Sequence, residues 1–445
     1  VNWFIFELFL IYYYHRSDDE RKGGVNMTTS KTTEKKTMWQ RIKNMGPGAI
    51  VTAAVVGPGT VTTCGLSGYG FGYGLAWALI FSVIAMFIMQ LMTSKIGIIG
   101  EMGLADSIRK VFAKSPFRIP LFILLIAAIF CGNCAYQAGN VVGASVGLSI
   151  LFGPYRTLFC IVISGAALAI VLSGNIKYIS NALTALVFVM AMVFLLTAFI
   201  VGADFTSLLH GMFVPSIPNG AMLNAIGLIG TTLVPYCLYL HASTTASEKI
   251  VDKEDALIDA KYDSVTNAIL TAIISISIMI VGHSLAVRGE TVKGVADLAM
   301  GLEPLAGAGA KAIFSIGIFA AGISSATTAP LAATYVITGI LGWSTDLKDK
   351  KFRMITTVVF ILGCIVAIMG GTPTNIITIA QAVNGVALPL SVCLVVYVAN
   401  DMNLLGSYKN TGILNGAGAA VFVITLFMAY RTFIVYAPKL AHMAA

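Results

Sequence analysis

The sequence predicts an all-α integral membrane protein with eleven transmembrane helices, arranged as a 5+5 inverted repeat plus one, in which helices 1 and 6 are broken. Three observations lead there. Of 445 residues, 57% are hydrophobic and only 11% are charged, with a mean hydropathy of +0.87, whereas a soluble domain carries about 25% charged residues. The apolar residues gather in runs of roughly the 20 residues that a helix needs to cross a bilayer. Two of these runs, five apart in order, are interrupted by proline at corresponding places, which is the mark of an inverted-repeat transporter with a site at the membrane midplane.

Residues 1–26 do not fit a signal peptide, which would be basic first and apolar second. VNWFIFELFLIYYYHR is short and aromatic, and SDDERKGG follows it. Lys22-Gly23-Gly24 can be encoded by a purine-rich stretch of the kind that precedes a bacterial start codon. Residues 1–26 therefore read as a translated leader before Met27, with an interfacial helix as the alternative. Residues 27–46 read as a basic cytoplasmic tail, 47–436 as one transmembrane domain and 437–445 as an extracytoplasmic tail.

The apolar segments fall at 47–68, 74–99, 118–152, 155–173, 178–202, 221–242, 264–287, 312–342, 354–371, 375–399 and 411–436. With the basic tail in the cytoplasm, only Arg156, Arg288, Lys293, Lys311, Arg431 and Lys439 of the 28 Lys and Arg lie outside. Three belong to the leader and the other 19 are cytoplasmic. This asymmetry places the amino terminus inside and the carboxyl terminus outside a cell membrane. The net charge of +8 thus reports topology. The expected partners are the lipid bilayer and a small solute or ion, not nucleic acid.

Segment one breaks at Gly57-Pro58-Gly59 and segment six at Pro235, where proline withholds a backbone donor and glycine relaxes the helix. The chemistry at depth is neutral. Every one of the 20 acidic residues is expected in a loop or tail, so the buried carboxylates on which proton relays and cation sites ordinarily rest are missing. What remains is Thr60, Thr62 and Thr63 after the first break, Gln137 and Asn140 in segment three, and Thr231 and Thr232 before Pro235. Segment eight adds Ser324, Ser325, Thr327 and Thr328; segment ten adds Gln381 and Asn384. A membrane Ser or Thr more often bonds its own helix than a ligand, but a buried amide needs several partners. His241 and His283 are expected near span ends in half-solvated positions, with His241 the one candidate proton acceptor. The seven cysteines (Cys64, Cys131, Cys134, Cys160, Cys237, Cys364, Cys393) lie in apolar runs as packing residues, and the Cys131/Cys134 pair lacks the context of a redox motif. No cofactor is implied, and no nucleophile, base and orienter can be assembled into an enzyme site.

GPGAIVTAAVVGPGTVTTCGLSGYGFGYGLAW followed by QLMTSKIGIIGEMGLADSIRK resembles the first two helices of the Nramp family of divalent metal transporters. TTLVPYCLYLHAS resembles that family's sixth helix, GISSATTAPLAATYVITGIL its eighth, and IAQAVNGVALPLSVCLVVYVANDMNLLG its tenth. The likeness runs from about residue 46 to 430, and it implies the leucine-transporter type of fold. It also implies a substrate site at Gly57, Gly59, Thr60, Thr231, Val234, Tyr236, Gln381 and Asn384. Where the family carries DPGN this chain reads Gly57-Pro58-Gly59-Thr60, and where it carries MPH the chain reads Val234-Pro235-Tyr236. The family's acidic pair on helix three falls on Gln137 and Asn140. Two functions follow as expectations. One is a divalent cation carrier, for which hydrated Mg²⁺ suits these neutral ligands better than dehydrated Mn²⁺ or Fe²⁺. The other is a carrier of a neutral, zwitterionic or anionic solute, drawn by half-helix amino termini that no carboxylate opposes. A sensor without transport is a third, with no attached signalling module to favour it.

Overall fold

The computed structural model describes residues 47–248, 250–300 and 302–432, without the side chains of 47–49, 304–306, 378, 379, 382–384 and 386. The expected leader, basic tail and extracytoplasmic tail lie outside the described residues. In chain order the helices are α1 (Pro47–Val55), α2 (Pro58–Phe71), α3 (Ala76–Gly100), α4 (Leu104–Val111), α5 (Arg118–Phe152) and α6 (Arg156–Leu172). There follow α7 (Ile176–Val201), α8 (Phe205–Phe213), α9 (Met222–Thr232), α10 (Pro235–Ala246), α11 (Lys253–Val287) and α12 (Val295–Met300). The last are α13 (Glu303–Leu341), α14 (Lys350–Met369), α15 (Pro373–Val398), α16 (Met402–Leu405) and α17 (Gly412–Arg431).

Among the described residues, every apolar segment read from the sequence is mainly helical. By length and composition, eight spans among the described residues can cross a membrane, or nine if the pair Ala387–Val398 and Met402–Tyr408, bent by 59°, is one span. Segment one falls short because it is split into pieces of 9 and 14 residues, and segment four because α6 has 17. Both predicted breaks are present. Val56 and Gly57 separate α1 from α2, and Leu233 and Val234 separate α9 from α10, with Pro58 and Pro235 in the first turn of each second half. Proline is tolerated there because the first turn has no intrahelical acceptor for its missing N–H.

Several helix starts are set by side-chain caps. Asn175, Asp204, Asp252, Asp349, Asp401 and Thr411 each accept a hydrogen bond from a first-turn backbone N–H, satisfying donors the helix leaves orphaned. The Asp252 cap starts α11 eleven residues before the apolar run at 264 begins. This corrects the placement of Asp263, which lies on the helix and is 8% exposed, not in a loop. Likewise α13 begins at Glu303, before the run at 312, and turns at Gly307, whose φ of 78° is non-helical.

Burial separates centre from rim. Of an 18-residue apolar stretch within Met222–Ala246, 83% is buried, and within Gly307–Leu341 78%, whereas within Gly412–Arg431 only 28% is buried. α9, α10 and α13 therefore form the middle, and α17 presents side chains such as Val423 and Phe427 to lipid. Helices in hydrocarbon gain little from burying apolar area against one another and associate through close packing at small residues. Such seams recur through the bundle, and two of them join α2 to α11 and α5 to α13. A Cβ on Gly282 of α11 would fall 1.9 Å from the Gly65 carbonyl oxygen of α2, and one on Gly322 of α13 would fall 2.4 Å from the Ala144 Cβ of α5.

The first seam yields a prediction. Because the atom met at Gly282 is backbone, Gly282→Ala should separate α2 from α11 and cost about 1–3 kcal/mol. Gly289→Ala, where nothing lies within 4 Å but φ is +77°, carries only local strain. Thermal unfolding in detergent should rank Gly282→Ala well below Gly289→Ala; the reverse order would mean that the seam is not a principal contact.

Candidate functional site

The site grows out of the first break. Where α1 stops, its last carbonyls have no helical partner, and at depth no water supplies one. Hydroxyls from three elements take the place of water. Ser325 of α13 donates to the Ala53 carbonyl at 3.1 Å and also lies 3.4 Å from that of Ala54. Tyr236 of α10 donates to the Ala54 carbonyl at 3.1 Å, and Thr60 of α2 donates to the Val55 carbonyl at 2.7 Å. Thr60 has one proton and spends it on Val55, so in its 2.9 Å contact with Thr231 the Thr231 hydroxyl is the donor. The two breaks thus face and touch each other.

Around this junction the residues implied by the resemblance converge. A Cβ on Gly59 would fall 1.7 Å from Gln381 Nε2, so the Gln381 amide lies in the space that glycine leaves. A Cβ on Gly57 would fall 2.6 Å from Ser325 Oγ and 3.4 Å from Asn140 Oδ1. Val234, the extended residue capping α10, is 1% exposed, and Gly57, Gly59, Thr60, Thr231 and Tyr236 are buried with it. The side chain of Asn384 lies outside the described residues.

Other expected members turn elsewhere. Gln137 packs its stem where a Cβ on Gly363 of α14 would be. Ser324 faces Met190 of α7. Thr62, Thr232, Thr327 and Thr328 bond carbonyls of their own helices, as helix-bonding Ser and Thr commonly do. Of the four segment-eight residues singled out from the sequence, only Ser325 reaches the break. His241 corrects an expectation: it is fully buried, not half-solvated, with Nδ1 2.9 Å from Thr93 Oγ1 of α3. His283 is half-buried, its ring 4.4 Å from that of Tyr73. All seven cysteines are free thiols.

Sequence reasoning missed Tyr136 and a second polar junction. The Tyr136 ring meets that of Tyr236 edge-on at 5.3 Å, and its hydroxyl lies near Gln381, Tyr236 and Thr231 without a hydrogen bond of good geometry to any. A tyrosine deep in a span was the available signal, since its O–H must find a partner. The second junction ties α1 to α11. Asn267 Oδ1 accepts from Thr52 and, at 3.3 Å, from Thr271. Its signal was the helical spacing of Ser264, Asn267, Thr271 and Ser275, all fully buried.

Left over at the first junction are buried polar atoms without a hydrogen-bond partner: Tyr136 Oη, Asn140 Nδ2 and Gln381 Oε1. They offer a donor, an acceptor and a hydroxyl that serves as either. Among the described residues no group of three or more His, Cys, Asp or Glu is placed to hold a metal ion.

Thr60 tests the junction. Thr60→Val keeps the shape but leaves the Val55 carbonyl with the Gly57 N–H alone and removes the acceptor of the Thr231 hydroxyl, and should cost about 1–2 kcal/mol, the range for interhelical hydrogen bonds in membranes. Thr60→Ser should stay near the parent. Equal melting temperatures for the Val and Ser variants would show that the hydroxyl does not hold the break.

Comparison with known proteins fits this architecture. A manganese transporter of Eremococcus coleocola, crystallised with an aromatic bis-isothiourea compound, superposes with a TM-score of 0.72 at 19% identity, covering 92% of this chain and 89% of its own. Mhp1, a nucleobase-cation-symport-1 family transporter, gives 0.59 at 12% identity over 87% of this chain and 92% of its own. A divalent metal cation transporter, MntH, of Staphylococcus saprophyticus is 28% identical over 412 residues, 87% of this chain and 90% of that protein. Another from Erwinia tasmaniensis is 27% identical, over 90% and 97%. The model of the family described as Natural resistance-associated macrophage protein-like matches residues 48–435, and the chain therefore belongs to the Nramp family of membrane transporters.

Proposed function

We propose that this chain is a secondary transporter of eleven spans in a 5+5 inverted repeat, amino terminus inside and carboxyl terminus outside. Its cargo is a small neutral, zwitterionic or anionic solute bound between the two breaks. The observation that carries this reading is the set of unpartnered atoms on Tyr136, Asn140 and Gln381. Buried polar atoms are costly unless paired, and this set needs a ligand that both accepts and donates. The amino-terminal ends of α2 and α10 add partial positive charge beside it. A hydrated cation turns only O–H donors outward and leaves the Asn140 amide donor unmet; a solute with a carbonyl or carboxylate meets it.

The second reading is a divalent cation, which the names of the relatives favour. Against it stands the chemistry of the junction. Gly57, Gly59 and Val234 bring no ligand side chain, and the carbonyls at the end of α1 are already engaged by Ser325, Tyr236 and Thr60. Hydrated Mg²⁺ is the cation that such a site would tolerate best.

A thermal-shift screen separates the readings, because a ligand of the folded state raises its apparent stability. Amino acids, amides and carboxylates are expected to include a stabilising solute, and Mn²⁺ to give no shift. Micromolar Mn²⁺ binding abolished by Thr60→Val would overturn the proposal. The converse test restores family ligands with Gly57→Asp and Val234→Met, adding Ser325→Ala because a Cβ on Gly57 meets Ser325 Oγ at 2.6 Å. This variant should be less stable alone, an intramembrane carboxylate being costly, and should gain a Mn²⁺-dependent rise in melting temperature that the parent lacks. A folded variant without that response would refute the assignment of the site.

Coupling gives a further prediction. Gln137 and Asn140 do not titrate, so uptake into liposomes should be unchanged by an imposed proton gradient. Substrate-driven acidification would contradict this and direct attention to His241 and Thr93.

A further inference from the structure

At the end of the bundle where α3 stops and α5 begins lies a cavity of about 870 Å³. Its walls come from the α3–α5 connection, the end of α10, Tyr335 of α13 and the loop after Gly342. Counting 1.5 Å per residue, Ser243 on its wall lies about 10 Å along α10 from Tyr236, so the cavity is separate from the break junction. Five charged side chains line it: Arg109, Lys110 and Arg118 against Glu101 and Asp106. The two carboxylates are weakened as anions. Glu101 is paired with Lys253 at 2.6 Å, and Asp106 lies 3.7 Å from Arg109. Burial also raises the Asp106 carboxyl above its ordinary value, with Arg109 opposing. Arg109 is held by donating to the Gly339 carbonyl at 2.9 Å, and Arg118 donates to the Ala113 carbonyl at 3.0 Å, which leaves further guanidinium N–H groups on both.

The cavity adjoins lipid. Phe122 forms part of its wall, and Phe117, Ile119, Ile123 and Leu124 around the start of α5 are 55–73% exposed. A cationic hollow beside an uncovered apolar strip matches an amphiphile with an anionic head, and basic pockets between transmembrane helices are where such headgroups bind. In the proposed orientation this is the cytoplasmic leaflet, which lies beside the basic loops.

We infer that this cavity is a binding site for the phosphate headgroup of an anionic phospholipid, held by Lys110, Arg118 and Arg109, with acyl chains along the exposed strip of α5. The lipid would bridge the α3–α5 connection to α13 through Arg109. The inference depends on the membrane location alone and stands whatever the transported solute is.

The test uses the full chain in detergent, titrated with phosphatidylglycerol, phosphatidylcholine or inorganic phosphate and read by melting temperature and by lipid retained in native mass spectrometry. Phosphatidylglycerol should stabilise and be retained; phosphatidylcholine and inorganic phosphate should not. Lys110→Gln with Arg118→Gln should weaken phosphatidylglycerol about thirtyfold, as expected for two cations near an anionic headgroup. Lys177→Gln, outside the cavity, should not, and Arg118→Lys should largely retain binding. Should the double variant melt early without lipid, Lys110→Glu alone replaces it, with the same loss expected. Equal retention of both lipids, equal affinity in the cavity variants, or stabilisation by inorganic phosphate matching the lipid's would each overturn the inference.

Discussion

The arrangement at the centre of this protein follows from one electrostatic constraint: the broken end of α1 exposes carbonyl oxygens that hydrocarbon cannot satisfy. Ser325, Tyr236 and Thr60 meet that need from α13, α10 and α2. Each carbonyl that is capped draws another element to the break. α13 must approach closely enough for a serine to reach, and α10 must start one residue before Tyr236, which the extended Val234 and Pro235 arrange. The meeting of the breaks through Thr60 and Thr231 is a consequence of the same hydroxyl network. A break stabilised by side chains can also be rearranged by moving those side chains.

Much of this was legible in the sequence because the bilayer imposes a strong and simple pattern. Segment three begins and ends where α5 does, at 118 and 152, since charge and glycine bound the run. Both breaks were readable from proline. What was lost was lost where apolarity and helix part company. α11 starts at its Asp252 cap, well before its apolar run, so Asp263 was left in a loop although the helix carries it into a buried position. Hydropathy reports where lipid begins, not where hydrogen bonding begins. His241 was misread for a related reason: distance from the end of a run gives depth along a span but says nothing of which neighbours surround it, and here α3 covers it with Thr93.

The site was legible as a list of residue types and not as directions. Ser324 and Ser325 are adjacent, yet one faces α7 and the other the break, because adjacent residues on a helix do not share a face. Tyr136 and Asn140, four apart, do share one, and both reach the junction; Gln137 between them packs on α14. A helical projection anchored on Asn140 would have selected Tyr136. Choosing the anchor required knowing which face of α5 meets the break, and that is fixed by contacts remote in sequence.

Gly57 and Val234 are where family architecture and local chemistry separate, whereas the motif that this chain resembles carries glycine at the position of Gly59 as well. The fold needs a break at this position, and Pro58 with an extended residue before it supplies one whatever side chain follows. What the site can bind depends on the space beside the break. Here glycine leaves room that the Gln381 amide enters, approaching within 1.7 Å of where a Cβ would be. At 57, where the motif has an aspartate, glycine likewise adds no donor atom, and Ser325 and Asn140 lie beside it. With glycine, the pocket is faced by an amide from another helix, neutral and able to donate or accept. A neutral amide adds no countercharge to balance a divalent ion in a low-dielectric interior, but it does pair with carbonyls, carboxylates and amines of a solute. The broken scaffold of the family is thus kept while the side chains at 57 and 234 are small and uncharged.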